Sequence, residues 1–191
     1  AEARRHHKCN DAAIDVDLLS FFADRLKVHL RDEGVRHDHI EAVIEQQTDG
    51  DLVQLVARVR ALSDFLQSDD GTNLLVAYRR AANIVRAEEK KDSTSYDGAA
   101  YDPGLNGAEP IEGALWDVLT RTESDIEAAL TGEEFESAMK SLAGLRQPID
   151  AFFDQVTVNV DDSVVRGNRL RLLARIQGVM NNVADFSKIE G

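Results

Sequence analysis

An all-α fold of about seven helices is what this sequence predicts, and three observations predict it. Apolar residues recur at intervals of three and four along most of the 191 residues. No stretch shows the clear period of two that a half-buried strand needs. Helix breakers are scarce, with 3 prolines and 12 glycines, many of them gathered in one stretch, so the remainder is free to be helical.

The elements follow in order. Ile14, Leu18, Phe21, Phe22, Leu26 and Leu30 make the first apolar stripe, closed by Gly34, and residues 1–13 before it read as a flexible start. A shorter helix carries Ile40, Val43 and Ile44 and stops near Thr48-Asp49-Gly50. Leu52, Leu55, Val56, Val59, Leu62 and Leu66 follow, ending at the turn Ser68-Asp69-Asp70-Gly71, after which Thr72 is expected to cap a long helix running to about Lys91. Residues 92–110 have turn chemistry and no periodicity, which predicts a mobile surface loop with solvent-facing tyrosines, removable at little cost. A helix bearing Leu115, Val118, Leu119, Ile126 and Leu130 comes next and breaks at Thr131-Gly132. Phe135, Met139, Leu142 and Leu145 mark another, and Pro148 starts a short one whose apolar side holds Ile149, Phe152, Phe153 and Val156. Asp161-Asp162-Ser163 caps a last helix reaching roughly Asp185. Residues 14–191 thus read as a single helical domain.

Composition narrows the function classes. No run approaches the roughly 20 apolar residues that span a bilayer, and the start leads into no apolar signal core, so a soluble, cytoplasmic protein with no membrane partner is expected. The single cysteine, Cys9, excludes an internal disulfide and a multi-cysteine zinc cage. The absent initiating Met suggests a piece of a longer chain. The formal charge of −13 argues against nonspecific adhesion to DNA or RNA, because an anionic backbone calls for a basic surface. That charge is unevenly spread. Residues 76–91 hold Arg79, Arg80, Arg86, Lys90 and Lys91 against Glu88 and Glu89, and residues 164–175 hold four arginines and no acid.

On the long helix, Leu74, Tyr78, Ala81, Ala82 and Val85 fall on one side, and Arg79, Asn83, Arg86 and Lys90 fall within about 60° of one another on the other. Their spacing of i, i+4, i+7 and i+11 makes a cationic ladder roughly 16 Å long with one amide inside it. Such a ladder could follow phosphates while Asn83 meets a base edge; a solvated charged face is the alternative. In the last helix Arg171 and Arg175 lie away from the apolar side at i and i+4, open to an outside partner. Arg169, and Arg25 in the first helix, lie within the apolar sector and read instead as structural ion pairs. His37-Asp38 is similar to the metal dipeptide of HD-type phosphohydrolases, but nothing downstream completes a ligand set, and His6, His7 and Cys9 are an equally weak zinc signal. No glycine-rich phosphate loop, serine elbow or paired catalytic carboxylates occur, so the chain by itself is expected to be non-catalytic.

Five stretches in order carry a resemblance: Phe21 to Leu26, Tyr78 to Ile84, Ala151 to Val158, Asn168 to Leu173, and Ala184 to Ile189. Together they resemble the C-terminal part of the bacterial glycine–tRNA ligase beta subunit, whose helical domain is similar to the anticodon-binding bundle of arginine–tRNA ligases. The resemblance covers roughly residues 14–191. It implies a grip on the anticodon arm of glycine tRNA and a tetramer of two alpha and two beta subunits. The alpha subunit would form glycyl-adenylate from ATP and glycine, and no cofactor is expected in this part of the chain. On that reading Arg79, Asn83, Arg86, Lys90, Arg171 and Arg175 are the candidate RNA ligands. The other reading is an acidic protein-interaction domain within the ligase assembly, without direct RNA contact.

Overall fold

The computed structural model describes residues 22, 24–44 and 51–190. Among them no strand occurs: residues 24–32 are helical (α1), followed by α2 (His37–Ile44), α3 (Leu52–Gln67), α4 (Asp69–Asp92), α5 (Pro110–Thr131), α6 (Phe135–Ala143), α7 (Arg146–Gln155), α8 (Ser163–Asn181) and a 3-10 turn, Phe186–Lys188. The expected all-α class therefore holds. Ile14, Leu18, Phe21, the flexible start at 1–13 and the stop at Thr48-Asp49-Gly50 lie outside the described residues.

Local chemistry explains most of the boundaries. Gly34, at φ +92°, ends α1 in the left-handed region that a side chain would disfavour. Asp51 caps α3 by accepting from the Val53 and Gln54 amides. The cap of α4 is Ser68, whose Oγ accepts from the Gly71 amide at 3.0 Å, and not Thr72 as expected. Thr72 sits within the first turn and donates back to the Leu66 carbonyl. The turn is so tight that a Cβ on Gly71 would lie 2.0 Å from the Phe65 carbonyl oxygen, which explains the glycine. Glu109 and Glu112 form a capping box around Pro110 at the start of α5. Pro148 falls in the first turn of α7, two residues after its start, where its missing N–H costs nothing. Asp162 caps α8, which ends at Asn181, before the expected Asp185, because the chain turns there into the 3-10 segment.

α4 is the axis of the packing, lying against α3, α7, α8 and the 3-10 turn, while α5 closes the other side over α6, α7 and α8. The expected apolar side of α4 is buried at Leu74, Tyr78, Ala81 and Val85, and α8 contributes Leu172, Ile176, Val179 and Met180. Of the two adjacent phenylalanines of α7, Phe152 is fully buried, whereas Phe153 is half-buried beneath the Arg80 guanidinium, 4.1 Å above its ring.

Candidate nucleic-acid interface

The long helix presents its polar side outward, as its periodicity requires. Asn83, Arg86 and Lys90 are exposed, and among the described residues none of the three meets a hydrogen-bond or ion-pair partner. Glu88 and Glu89, which could have neutralised them, face elsewhere. Glu88 is buried against α8, and Glu89 accepts from the Ser95 hydroxyl and the Tyr96 amide. The fourth member of the ladder is placed differently. Arg79 is half-buried and donates to the Ile189 carbonyl at 2.7 Å, so its guanidinium ties α4 to the end of the described chain.

The arginines of α8 are mostly committed to acids from other helices. Arg166 donates to Glu88 at 2.6 Å and also to Asp92, joining α8 to the last two turns of α4. The Arg166 hydrogen bond holds the Glu88 carboxyl below the ordinary carboxylate value; Asp92 is held low by the Tyr96 hydroxyl and then by Arg166. Arg169 is the structural ion pair that its position predicted, donating to fully buried Glu112 at 2.8 Å and to the Thr157 carbonyl. Arg25, whose position in the apolar sector of α1 predicted the same role, is exposed. Arg175 pairs with Glu123 of α5 and lies over Trp116, its guanidinium carbon 5.4 Å from the ring centre. That leaves Arg171, half-buried, as the arginine of this group with no carboxylate partner among the described residues.

The segment 92–110 corrects the expectation of a free surface loop. Tyr96 and Tyr101 are 8% and 4% exposed, and the segment is docked onto α8 and α5. The Tyr96 hydroxyl donates to Asp92, and Asn168 clasps the Asp102 backbone with both halves of its amide, at 2.8 and 2.9 Å. Tyr101 lies beside Trp116, ring centres 5.3 Å apart and tilted by 35°. Its hydroxyl is buried without a partner among the described residues, and burial pushes its pKa up to about 12. A turn-rich composition reveals that no helix forms here; it does not reveal whether two aromatic rings can fold inward.

At the opposite end, backbone carbonyls of the final segment are held by three arginines, two from helices and one from the turn before α2. Arg58 donates to Val183 and Asn182, Arg79 to Ile189, and Arg36, just before α2, to Glu190. Asp38 receives a two-pronged hydrogen bond from Arg36 and one from the Glu190 amide, so this half of the His37-Asp38 pair is a structural acceptor. Among the described residues no group of three or more His, Cys, Asp or Glu side chains is arranged to hold a metal ion; His6, His7 and Cys9 lie outside them. Sequence reasoning missed the role of Arg36 and Arg58 in holding the final segment, where they meet main-chain carbonyls that leave no mark on the sequence.

Fold and face together give an all-helical domain with a short cationic face on α4. A family model described as the DALR anticodon binding domain matches residues 74–190, and the chain belongs to that family. The matched span includes most of α4, the docked segment and α8. Among curated proteins the chain is similar to the glycine–tRNA ligase beta subunit of Rhodospirillum centenum, 59% identical over 176 residues that make up 92% of this chain and 24% of that protein. It is also 48% identical over 184 residues to the corresponding subunit of a Ruegeria species, covering 96% and 26% of the two chains. A third, from Paracoccus denitrificans, is 47% identical over 184 residues, covering 96% and 27%. The chain spans about a quarter of the length of these relatives. No helix among the described residues is long and apolar enough to cross a membrane.

Proposed function

We propose that this domain holds the anticodon arm of glycine tRNA within a glycine–tRNA ligase, supporting the ATP-dependent attachment of glycine to tRNA in the cytoplasm. The observation that carries the reading is the exposed, unpaired set Asn83, Arg86 and Lys90 on α4 in a chain whose other central arginines are committed to internal partners. Two cations and an amide on one helical face suit phosphates plus a base edge. Arg171, half-buried on α8 and without a carboxylate partner among the described residues, is a further candidate contact apart from that face. Arg79 and Arg175 remain RNA ligands in this proposal on condition that they leave Ile189 and Glu123. The relatives are named as beta subunits, which supports an alpha-subunit partner in an assembly of two alpha and two beta chains. ATP and glycine are then used on the alpha subunit, and this domain takes no cofactor.

The test is a titration of cognate and non-cognate tRNA at several salt concentrations. Arg86→Ala and Lys90→Ala should weaken binding to both and flatten the salt dependence by about 0.7 per cation lost, since fewer counterions are displaced. Asn83→Ala should cost about 1–3 kcal/mol with glycine tRNA, far less with another anticodon, and leave the salt slope unchanged. Wild-type affinities and slopes in all three variants would remove the RNA from this face.

A further inference from the structure

The last two turns of α4, residues 86–92, hold three bases, Arg86, Lys90 and Lys91, against three acids, Glu88, Glu89 and Asp92, and so carry no net charge. They also end at the negative pole of the helix dipole, equivalent to about half an elementary charge. By composition this is a poor place to hold a phosphate. The tertiary contacts sort the charges. Glu88 is 8% exposed and accepts from Arg166 of α8 at 2.6 Å and from Asn159 at 3.3 Å, and Lys91 reaches it as well. Asp92 accepts from the same Arg166 guanidinium and from the Tyr96 hydroxyl. Glu89, a helical neighbour of Arg86 at i and i+3, accepts instead from the Ser95 hydroxyl and the Tyr96 amide. Each acid of the stretch is thus held by donors from outside the helix, while Arg86 and Lys90 stay exposed with no partner among the described residues.

Two of the three acids meet one residue, Arg166, whose own side chain is only 14% exposed and so is not offered to an outside partner. We propose that Arg166 is a positioning residue for RNA: by holding and offsetting Glu88 and Asp92 against α8, it leaves a positive field over Arg86 and Lys90 without touching the RNA itself. With the guanidinium counted, the end of α4 is net positive. Without it, two uncompensated carboxylates would lie about one helix diameter, roughly 10 Å, from the cations that meet phosphate, a distance over which charges still interact at moderate salt. Losing Arg166 also takes one of the two donors from Asp92, the acid that anchors the Tyr96 ring and with it the turn that holds Glu89. The inference rests on the tRNA-binding reading above and explains how a neutral stretch of helix can serve it.

The experiment titrates labelled glycine tRNA into the 191-residue chain by anisotropy, with circular dichroism melting as the check on folding. Arg166→Gln should weaken binding about three- to tenfold at roughly 0.05 M salt, and the deficit should shrink as added salt shortens the reach of the field. Arg166→Lys, which keeps the cation, should recover most of the affinity. The deciding variant adds Glu88→Gln and Asp92→Asn to Arg166→Gln. It removes the acids that the arginine offsets, so affinity should return at least to the wild-type level although the ion pairs are gone. A triple variant that unfolds, or that binds as weakly as Arg166→Gln, shows that Arg166 serves the fold or meets RNA directly, and overturns the proposal while the proposed function stands. Wild-type affinity in Arg86→Ala, Lys90→Ala, or no binding by the folded wild-type chain, overturns both.

Discussion

Removing the Arg169 side chain should be among the most damaging single changes available in this domain. Arg169 is 4% exposed, and its Nε donates to Glu112, which has no exposure at all, while its Nη1 satisfies the Thr157 carbonyl. Arg169→Met keeps most of the volume but leaves the Glu112 carboxylate buried with one remaining donor, the Glu109 amide at 3.0 Å; its Oε2 has none even now. Stranding one member of a buried pair costs about 3–5 kcal/mol, a large share of the roughly 5–15 kcal/mol that holds a typical domain folded. At roughly 2–4 °C per kcal/mol for a chain of this size, the melting temperature should fall by about 6–20 °C. Urea unfolding followed by circular dichroism measures the loss, with an unchanged slope showing that the two-state transition is retained. The double variant Glu112→Met, Arg169→Met separates causes: if the stranded charge is the source of the damage, removing it too should restore most of the stability. A loss under about 1 kcal/mol in the single variant, or a double variant worse than the single, would refute this account of the pair.

Two further outcomes follow from groups sequestered in the core. Tyr101→Phe should be neutral or stabilising, because the hydroxyl is buried without a partner while the ring packs beside Trp116, whereas Tyr101→Ala should cost about 3–5 kcal/mol; equal losses in both would show that the hydroxyl is satisfied. His39 is buried beside the Ser63 hydroxyl, and burial lowers its pKa, so below the ordinary histidine value the unfolded chain takes up a proton that the folded chain refuses. Its contribution is therefore complete above that value and declines as the pH falls below it, a dependence that His39→Gln should flatten, and an NMR titration placing His39 at or above the ordinary value would contradict it.

Helix positions were legible because a 3.6-residue period leaves its mark on which residues are apolar, and the core sides of α4 and α8 came out where that period put them. What the sequence hid has one physical origin. Arg79, Arg175 and Arg166 are claimed by Ile189, Glu123 and Glu88, partners 110, 52 and 78 residues away on elements that only the tertiary fold brings close. A helical projection shows which way a side chain points and not what waits there. The segment 92–110 failed for the complementary reason. Its lack of period described the backbone correctly, but the docking of Tyr96 and Tyr101 depends on surface offered by α8 and α5, including Asn168, whose amide side chain gives no hint that its partner is the backbone of Asp102. The α4 cap was a near miss, with two hydroxyl residues four positions apart and the tight approach at Gly71 deciding for Ser68.

This sorting of arginines changes what a net charge of −13 means for an anion-binding domain. Four arginines without an acid in residues 164–175 look like a basic patch, yet three of them serve to join α8 to α4 and α5 through acids those helices supply. The acids and bases that dominate the composition therefore partly cancel inside the bundle, and the exposed cations of the proposed α4 face reduce to Arg86 and Lys90, with half-buried Arg171 apart from them on α8. Three phosphate contacts on a single-stranded loop give a log–log salt slope of only about −2, too shallow for electrostatics to supply most of the affinity. On the proposed function, discrimination would then rest on base contacts such as that at Asn83. The acidic remainder would act against RNA docked anywhere else, since repulsion of wrong arrangements separates sites as effectively as attraction to the right one.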